Sequence, residues 1–473
     1  MALTIVHGAA VAAAFLACTA TATEPPPPVT LPAPLVREAM RLREAALADN
    51  RAWDIVASLT TRVGPRLAGT SGDRAAVAWA LQTLQELGFR NVRAEPVTVP
   101  HWERGELEVA IVTPWPQPLV AASLGGSIGT PEEGIEAPVV AVTTLDSLAK
   151  LPEEAVRGRI VYFGNRMQRA RDGTGYEAAV KIRTQGAAEA AARGAVAVLI
   201  RSVGTDNNRL PHTGTTRYAE NGRKIPAVAL SNPDADLLEA QLASGKPVMV
   251  RLRSTARYLP DEQSANVIGE IPGRERPEEI VLLAAHLDSW DLGTGALDDG
   301  AGVAIVTEAA RLIAASGLKP RRTIRVVLYA NEEFGLSGAK AYAAAHAAEL
   351  PRHVVALEAD LGADRVWRFD TRVADSALPI TEALHALLAP LGIERGSNTA
   401  DGGSDIGPLL RHGVPVFSLQ HDASRYFDLH HTANDTLDKI DRVALSQSVA
   451  AYAVAAYVAA TIEEDFGRLP AEN

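Results

Sequence analysis

The sequence predicts an α/β fold: a mixed, mostly parallel sheet flanked by helices, with a second, β-rich domain inserted into it. Two observations carry this. From Ala265 onward, apolar strand-like runs alternate with runs of helical period, the pattern that buries a parallel sheet between layers of helices. Between residues 119 and 255 the text is instead Gly-rich with short β-like runs, which breaks the alternation. A length of 473 residues leaves room for both units.

The elements follow in order. Residues 35–50 and 72–87 space their apolar side chains at helical period, and Gly88 stops the second run, so two helices open the folded chain. Residues 92–99 and 107–112 read as strands separated by a turn-prone segment, 100–105. Within the Gly-rich region, residues 139–142, 160–163, 195–200 and 227–230 are β-like, and 186–193 is an Ala-rich helix. Strands are then expected at 279–286, 323–330, 354–360 and 414–419, with helices at 302–315 and 338–348. The Ala-rich stretch 443–462, broken by Ser446, Gln447 and Ser448, reads as a packed terminal helix. These boundaries divide the chain into residues 1–22, 23–118, 119–255 and 256–473, the second and fourth forming one domain.

Hydrophobic residues at 47% and charged residues at 22% are globular values. A net charge of −11 without a basic tract argues against a nucleic-acid partner. Residues 9–18 form an apolar run, and Ala20-Thr21-Ala22 offers an A-x-A cleavage site, so residues 1–22 are expected to be a signal peptide of an exported protein, periplasmic or secreted. The run falls short of the roughly 20 residues that span a bilayer. Cys18, the only cysteine, is a weaker candidate for a lipid anchor, and its position leaves the folded chain without a thiol. A metal site would therefore rely on His and carboxylate.

Such residues gather at predicted strand ends, the edge where open α/β sheets bind ligands. One strand runs into His286-Leu287-Asp288, where a period of two lets Asp288 orient the His286 ring. Asp298-Asp299-Gly300-Ala301-Gly302 follows, with glycines that let a helix start close by. The next strands end in Asn331-Glu332-Glu333 and in Asp360, and His430-His431 lies in a loop after the last strand. Singly, each has a bland reading: a surface histidine, a helix cap, a solvated turn. Jointly they form the order His, Asp, Glu, Asp, His, which chance explains poorly.

The set resembles the M28 family of co-catalytic zinc peptidases, and within it the carboxypeptidase Q branch. The resemblance rests on residues 286–291 (His-Leu-Asp-Ser-Trp-Asp) and 298–302, on Glu332-Glu333, on Glu358-Ala359-Asp360, and on His430-His431 with Asp435-Thr436. It implies a zinc aminopeptidase-like core with 119–255 as a protease-associated domain. It further implies two Zn2+ per chain: Asp298 bridging, His286 and Asp360 on one ion, Glu333 and His431 on the other. Glu332 would be the general base, the Asp298-Asp299 peptide would be cis, and His430 would stand where many members carry an oxyanion-steadying Tyr. The implied substrates are short unblocked peptides, dipeptides above all, and the implied assembly is a homodimer. Asp405 and Asp291 are candidates for the substrate's amine, Arg104 and Arg425 for its carboxylate. The competing expectations are an aminopeptidase of longer peptides and a non-catalytic binding relative.

Overall fold

The computed structural model describes residues 29–471; the expected signal peptide and Cys18 lie outside them. Three helices come first, Ala33–Ala48, Ala52–Arg62 and Ser71–Glu86, one more than the sequence pattern revealed. In the first, Leu35, Ala39, Leu42 and Ala46 form a single buried stripe. The third is capped by the Thr70 hydroxyl, which accepts from the Asp73 amide.

Strand β1 (Arg90–Glu103) then enters the first sheet. The chain next builds the whole of a second sheet from β2 (Leu107–Thr113), β3 (Gln117–Leu119), β4 (Ala121–Ser123), β5 (Ile135–Val142), β6 (Ile160–Phe163), β7 (Ala197–Arg201), β8 (Ala227–Leu230) and β9 (Met249–Ser254). It returns in β10 (Arg257–Ile271), antiparallel to β1 from Arg90 opposite Glu270 to Glu103 opposite Arg257. The two crossings thus lie side by side. β11 (Arg276–His286), β12 (Arg322–Tyr329), β13 (His353–Glu358), β14 (Val366–Arg372), β15 (Glu394–Arg395) and β16 (Val416–His421) complete the first sheet, in the order β1-β10-β12-β11-β13-β16-β14-β15. Its centre, β12-β11-β13-β16, is parallel throughout; the pairings of β1 with β10, β10 with β12 and β14 with β16 are antiparallel.

Several elements differ from the sequence expectation. Residues 100–105 are not simply a turn between paired strands: β1 continues through Pro100 to Glu103 against β10, with a register slip between Val99 and His101. Pro100 has no N–H to give the ladder, and a bulge absorbs the loss. The second sheet starts upstream of residue 119, because β2 pairs with β9 and so occupies an edge of β9 that would otherwise be bare. The Ala-rich helix runs from Thr174 to Ala192, and β14, β15 and the helix Leu378–Leu388 fall in a region where no element was expected.

The central strands are buried on both faces, as their unbroken apolar runs require. Along β11, Val281, Leu283 and Ala285 join the core cluster shared with the helices Ala301–Ala315 and Arg442–Thr461, while Ile280, Leu282 and Ala284 join the opposite one. The helix Arg442–Thr461 is long and apolar enough by composition to cross a membrane, yet 89% of its most apolar stretch is buried inside the protein. Its alanines let it lie close against the sheet.

Candidate metal centre

The four parallel strands all end at one edge, and the expected ligands, Glu332 and His430 gather there. His286 closes β11, Glu332 and Glu333 follow β12, Asp360 follows β13, and His430 and His431 lie in the loop after β16. Asp298 comes just before the helix Ala301–Ala315, with a cis peptide to Asp299. Gly302 is what lets that helix begin so close. A Cβ there would stand 1.9 Å from the Ala359 carbonyl and 2.2 Å from Asp299 Oδ1. Asn331 and His431, each next to or within the site, hold left-handed backbone at φ 58° and 61°, conformations non-glycine residues keep mainly where their surroundings enforce them.

The side chains converge about Asp298. Its Oδ1 lies 3.1 Å from His286 Nε2, which is 3.6 Å from Asp360 Oδ1; its Oδ2 lies 3.2 Å from His431 Nε2, which is 2.9 Å from Glu333 Oε2. One carboxylate therefore faces two separate His–carboxylate pairs. Asp299 does not compete for this place, since its oxygens accept the amides of His286 at 3.1 Å and Gly302 at 3.0 Å. His430 stacks on His431, ring centroids 3.5 Å apart, with its Nε2 3.7 Å from Asp298 Oδ2. Asp288 meets His286 differently from the expectation. The ring Nδ1 is 3.0 Å from the Asp288 main-chain oxygen and 3.6 Å from Oδ1, because Oδ1 also accepts the Glu332 amide at 3.0 Å. Asp288 thus ties the His286 loop to the Glu332 backbone.

These donors fit a divalent cation. They comprise imidazole nitrogens and carboxylate oxygens without thiolate, within reach of one another, and Glu333 Oε1 is buried with no hydrogen-bond donor. Uncompensated charge shows in the acidities. Burial, joined by repulsion from Asp360 and Glu333, pushes the Glu332 carboxyl well up, and burial with Asp298 nearby pushes Glu333 up. Asp298 is held well below the usual carboxylate range despite its burial, by hydrogen bonds from His286 and His431. Burial would lower His431, but Glu333 and Asp298 raise it to about 9. His430, buried beside cationic His431, is held well below its ordinary value and stays neutral. Cations at this position would relieve the carboxylate repulsion.

Residues outside the expected ligand set hold the centre in place. Fully buried Arg66 donates to the carbonyls of Leu287, Thr294 and Gly295 and so shapes the loop after β11. Asp435 accepts the amides of Leu297 and Asp298 at 2.7 and 3.3 Å. The inserted domain grips the histidine loop: Thr213 donates its amide to the His431 carbonyl at 3.0 Å and faces His431 Nδ1 with its own carbonyl at 3.2 Å, while His212 Nδ1 donates to the His430 carbonyl at 2.7 Å. Arg169 of the insert forms a two-pronged pair with Asp428. Asp435 belongs to the motif His430-His431 with Asp435-Thr436, whereas Arg66 and the contacts of the insert have no local sequence signal.

Between insert and sheet edge lies a cavity of ≈ 330 Å³. Glu332, Glu333, Asp298 and Asp360 line one side, and Tyr176, Arg183, Thr215 and Arg217 of the insert line the other. Of the four residues expected to contact substrate, none lines it. Arg104 and Asp291 satisfy each other through Nε and Nη2. Arg425 lies 3.7 Å from Asp364, more than half exposed. Asp405 is wholly buried behind Ser404, its amide donating to Glu358.

The fold and this centre define a metallopeptidase. The profile of Peptidase family M28 matches residues 266–456. Carboxypeptidase Q of Bos taurus is 39% identical over 417 residues, 88% of this chain and 87% of that one. The crystal structure of a Peptidase M28 precursor from Shewanella amazonensis superposes with TM-score 0.91 at 49% identity, covering 92% of this chain and 99% of that one. A zinc aminopeptidase from Bacillus subtilis shares the fold, at TM-score 0.64 and 21% identity over 87% of this chain and 95% of that one. The chain belongs to peptidase family M28.

Proposed function

We propose that this metallopeptidase is a two-zinc exopeptidase that hydrolyses short unblocked peptides, dipeptides foremost. The observation that carries the reading is the placement of Asp298, whose two oxygens face opposite His–carboxylate pairs. Asp298 would be shared by both ions, His286 and Asp360 completing one set of ligands and Glu333 and His431 the other. Zinc bound there supplies an acidified water and a polarised peptide carbonyl near neutral pH. The chain's own groups do the remaining work. Glu332 lines the cavity and is anchored by its amide to Asp288; it takes the proton of the attacking water and delivers it to the leaving amine. Neutral His430, beside Asp298, is placed to steady the oxyanion. A cavity near the lower end of the usual range for ligand sites supports a substrate of dipeptide size. The apolar run and A-x-A site in residues 1–22 support export.

Assaying the zinc-loaded protein on dipeptides, N-blocked dipeptides and longer peptides, with chelator controls, tests the proposal. Dipeptide cleavage that chelation abolishes and N-blocking removes is expected. Activity confined to longer peptides would replace it with an aminopeptidase. Glu332→Gln should keep its zinc by elemental analysis and lose roughly 10²- to 10⁴-fold in turnover, the span of general-base effects; a fully active variant would refute the role of Glu332.

A further inference from the structure

The metal-side cavity has a neighbour. A second cavity, of ≈ 380 Å³, lies against the same stretch of the insert, and Thr215 and Arg217 line both. The turn after β12 divides them: Glu333 lines the metal-side cavity and Phe334, the next residue, lines the second. Thr215 ties the shared wall to that turn, its hydroxyl donating to the Glu333 carbonyl. Phe334, Tyr258 on β10, Tyr218 of the insert and Pro100 on β1 give the second cavity aromatic and apolar walls. These walls are fixed. Phe334 meets the buried Trp290 edge-on, ring centroids 6.3 Å apart, and lies 6.1 Å from the Tyr258 ring. The backbone at Gly126 packs against the pair, since a Cβ there would come within 2.8 Å of the Tyr258 hydroxyl and 3.1 Å of Phe334 Cζ. The Tyr218 hydroxyl donates to the Ile225 carbonyl. Tyr258 is nonetheless 42% exposed, so the protein's own core does not use this surface. Two cations complete the lining. Lys224 Nζ sits 5.2 Å from the Tyr258 ring centroid and Arg217 stands on the shared wall; no ion pair of either is found among the described residues, although Glu220 lines the same cavity.

We propose that this second cavity is a specificity pocket for an aromatic side chain of the substrate, carried by a residue that flanks the cleaved bond. The inference rests on the exopeptidase reading above and adds a side-chain preference to it. A peptide carbonyl held at Asp298 places its flanking residues in the metal-side cavity, and a side chain on one of them enters the second cavity across Thr215 and Arg217. An aromatic ring is the occupant that uses every wall. It packs on Phe334 and Tyr258, and its face attracts Arg217 and Lys224. An aliphatic side chain leaves the two cations unused, and a carboxylate is pressed against apolar rings at a desolvation cost. Because Phe334 and Tyr218 are already held in position, little side-chain freedom is lost on binding.

The test uses the zinc-loaded enzyme and dipeptides that carry alanine, leucine, phenylalanine or glutamate at one position and alanine at the other. Phenylalanine at one of the two positions is expected to raise kcat/KM roughly tenfold or more over alanine, mainly through KM, with leucine between them and glutamate no better than alanine. The same order should appear in Kd, by calorimetry, on zinc-loaded Glu332→Gln, where turnover is slowed. Tyr258→Ala should cut the phenylalanine-to-alanine ratio about 3- to 10-fold, the worth of one aromatic contact, with zinc content unchanged by elemental analysis. Tyr258→Phe, which keeps the ring, should retain the ratio. A wild type that treats phenylalanine and alanine alike at both positions overturns the proposal, as does one that favours glutamate. So does a ratio that Tyr258→Ala leaves intact because both substrates slow together, the mark of a merely structural role. Binding in the expected order without cleavage of any dipeptide would refute the exopeptidase reading and leave the pocket standing; neither binding nor cleavage refutes both.

Discussion

At the scale of single residues, Asp298 differs from its neighbours in facing two His–carboxylate pairs at once. Asp298→Ala should remove both zinc equivalents, whereas His431→Ala should remove one, measured by elemental analysis after gel filtration; full occupancy in His431→Ala would break the assignment. Asp435 touches no proposed ligand side chain, yet it fixes the Leu297 and Asp298 amides. Asp435→Ala should weaken zinc binding about 10- to 100-fold in competition with a chromophoric chelator, the usual effect of losing a group that orients a ligand. The His, Asp and Glu residues gathered at this edge were legible in the sequence because metal chemistry restricts candidate ligands to a few residue types, and because most follow a recognisable apolar strand. The substrate contacts were not. Arg104 and Asp291 are far apart in sequence and opposite in charge, and only folding reveals that they answer each other.

Among elements, the junction of β13 and the helix Ala301–Ala315 carries a tight constraint. Gly302→Ala would press a methyl group on the Ala359 carbonyl, and backbone cannot give way as a side-chain tip can. The expected cost is about 1–3 kcal/mol, the range for overpacking, read as a lower urea midpoint in zinc-free protein. An unchanged midpoint would mean that the helix slides freely, against the contacts seen. The glycine motif was visible in the sequence, and the strand ends at β11, β12 and β13 followed from long apolar runs. β14 and β15 escaped notice because they lie at the less buried margin, where Val366–Arg372 mixes charged with apolar residues.

For the whole molecule, two buried histidines outside the proposed ligand set define an acid limit. Burial holds His421 down to about 4, and burial holds His353 down to about 4 as well. His353 donates to the Glu349 carbonyl and accepts from the Tyr342 hydroxyl, while His421 Nε2 has no partner. In the unfolded chain both take up protons below about 6.5. The unfolded state therefore binds more protons between pH 6.5 and 4, so this contribution is complete above 6.5 and is lost as pH falls to 4. It amounts to about 3 kcal/mol for each group. His421→Phe should flatten the stability–pH slope over that window by about one proton in urea titrations of zinc-free protein; an unaltered slope would contradict a neutral His421.

The sequence by itself determined the alternation of strands and helices, the all-apolar central strands, and a set of His, Asp and Glu residues at their ends, because each follows from local periodicity or from the chemistry of a short motif. The tertiary structure alone decided that β2 belongs to the second sheet and that the insert closes on the histidine loop. Those facts depend on which distant segments meet, and nothing in the local text of either segment records the meeting.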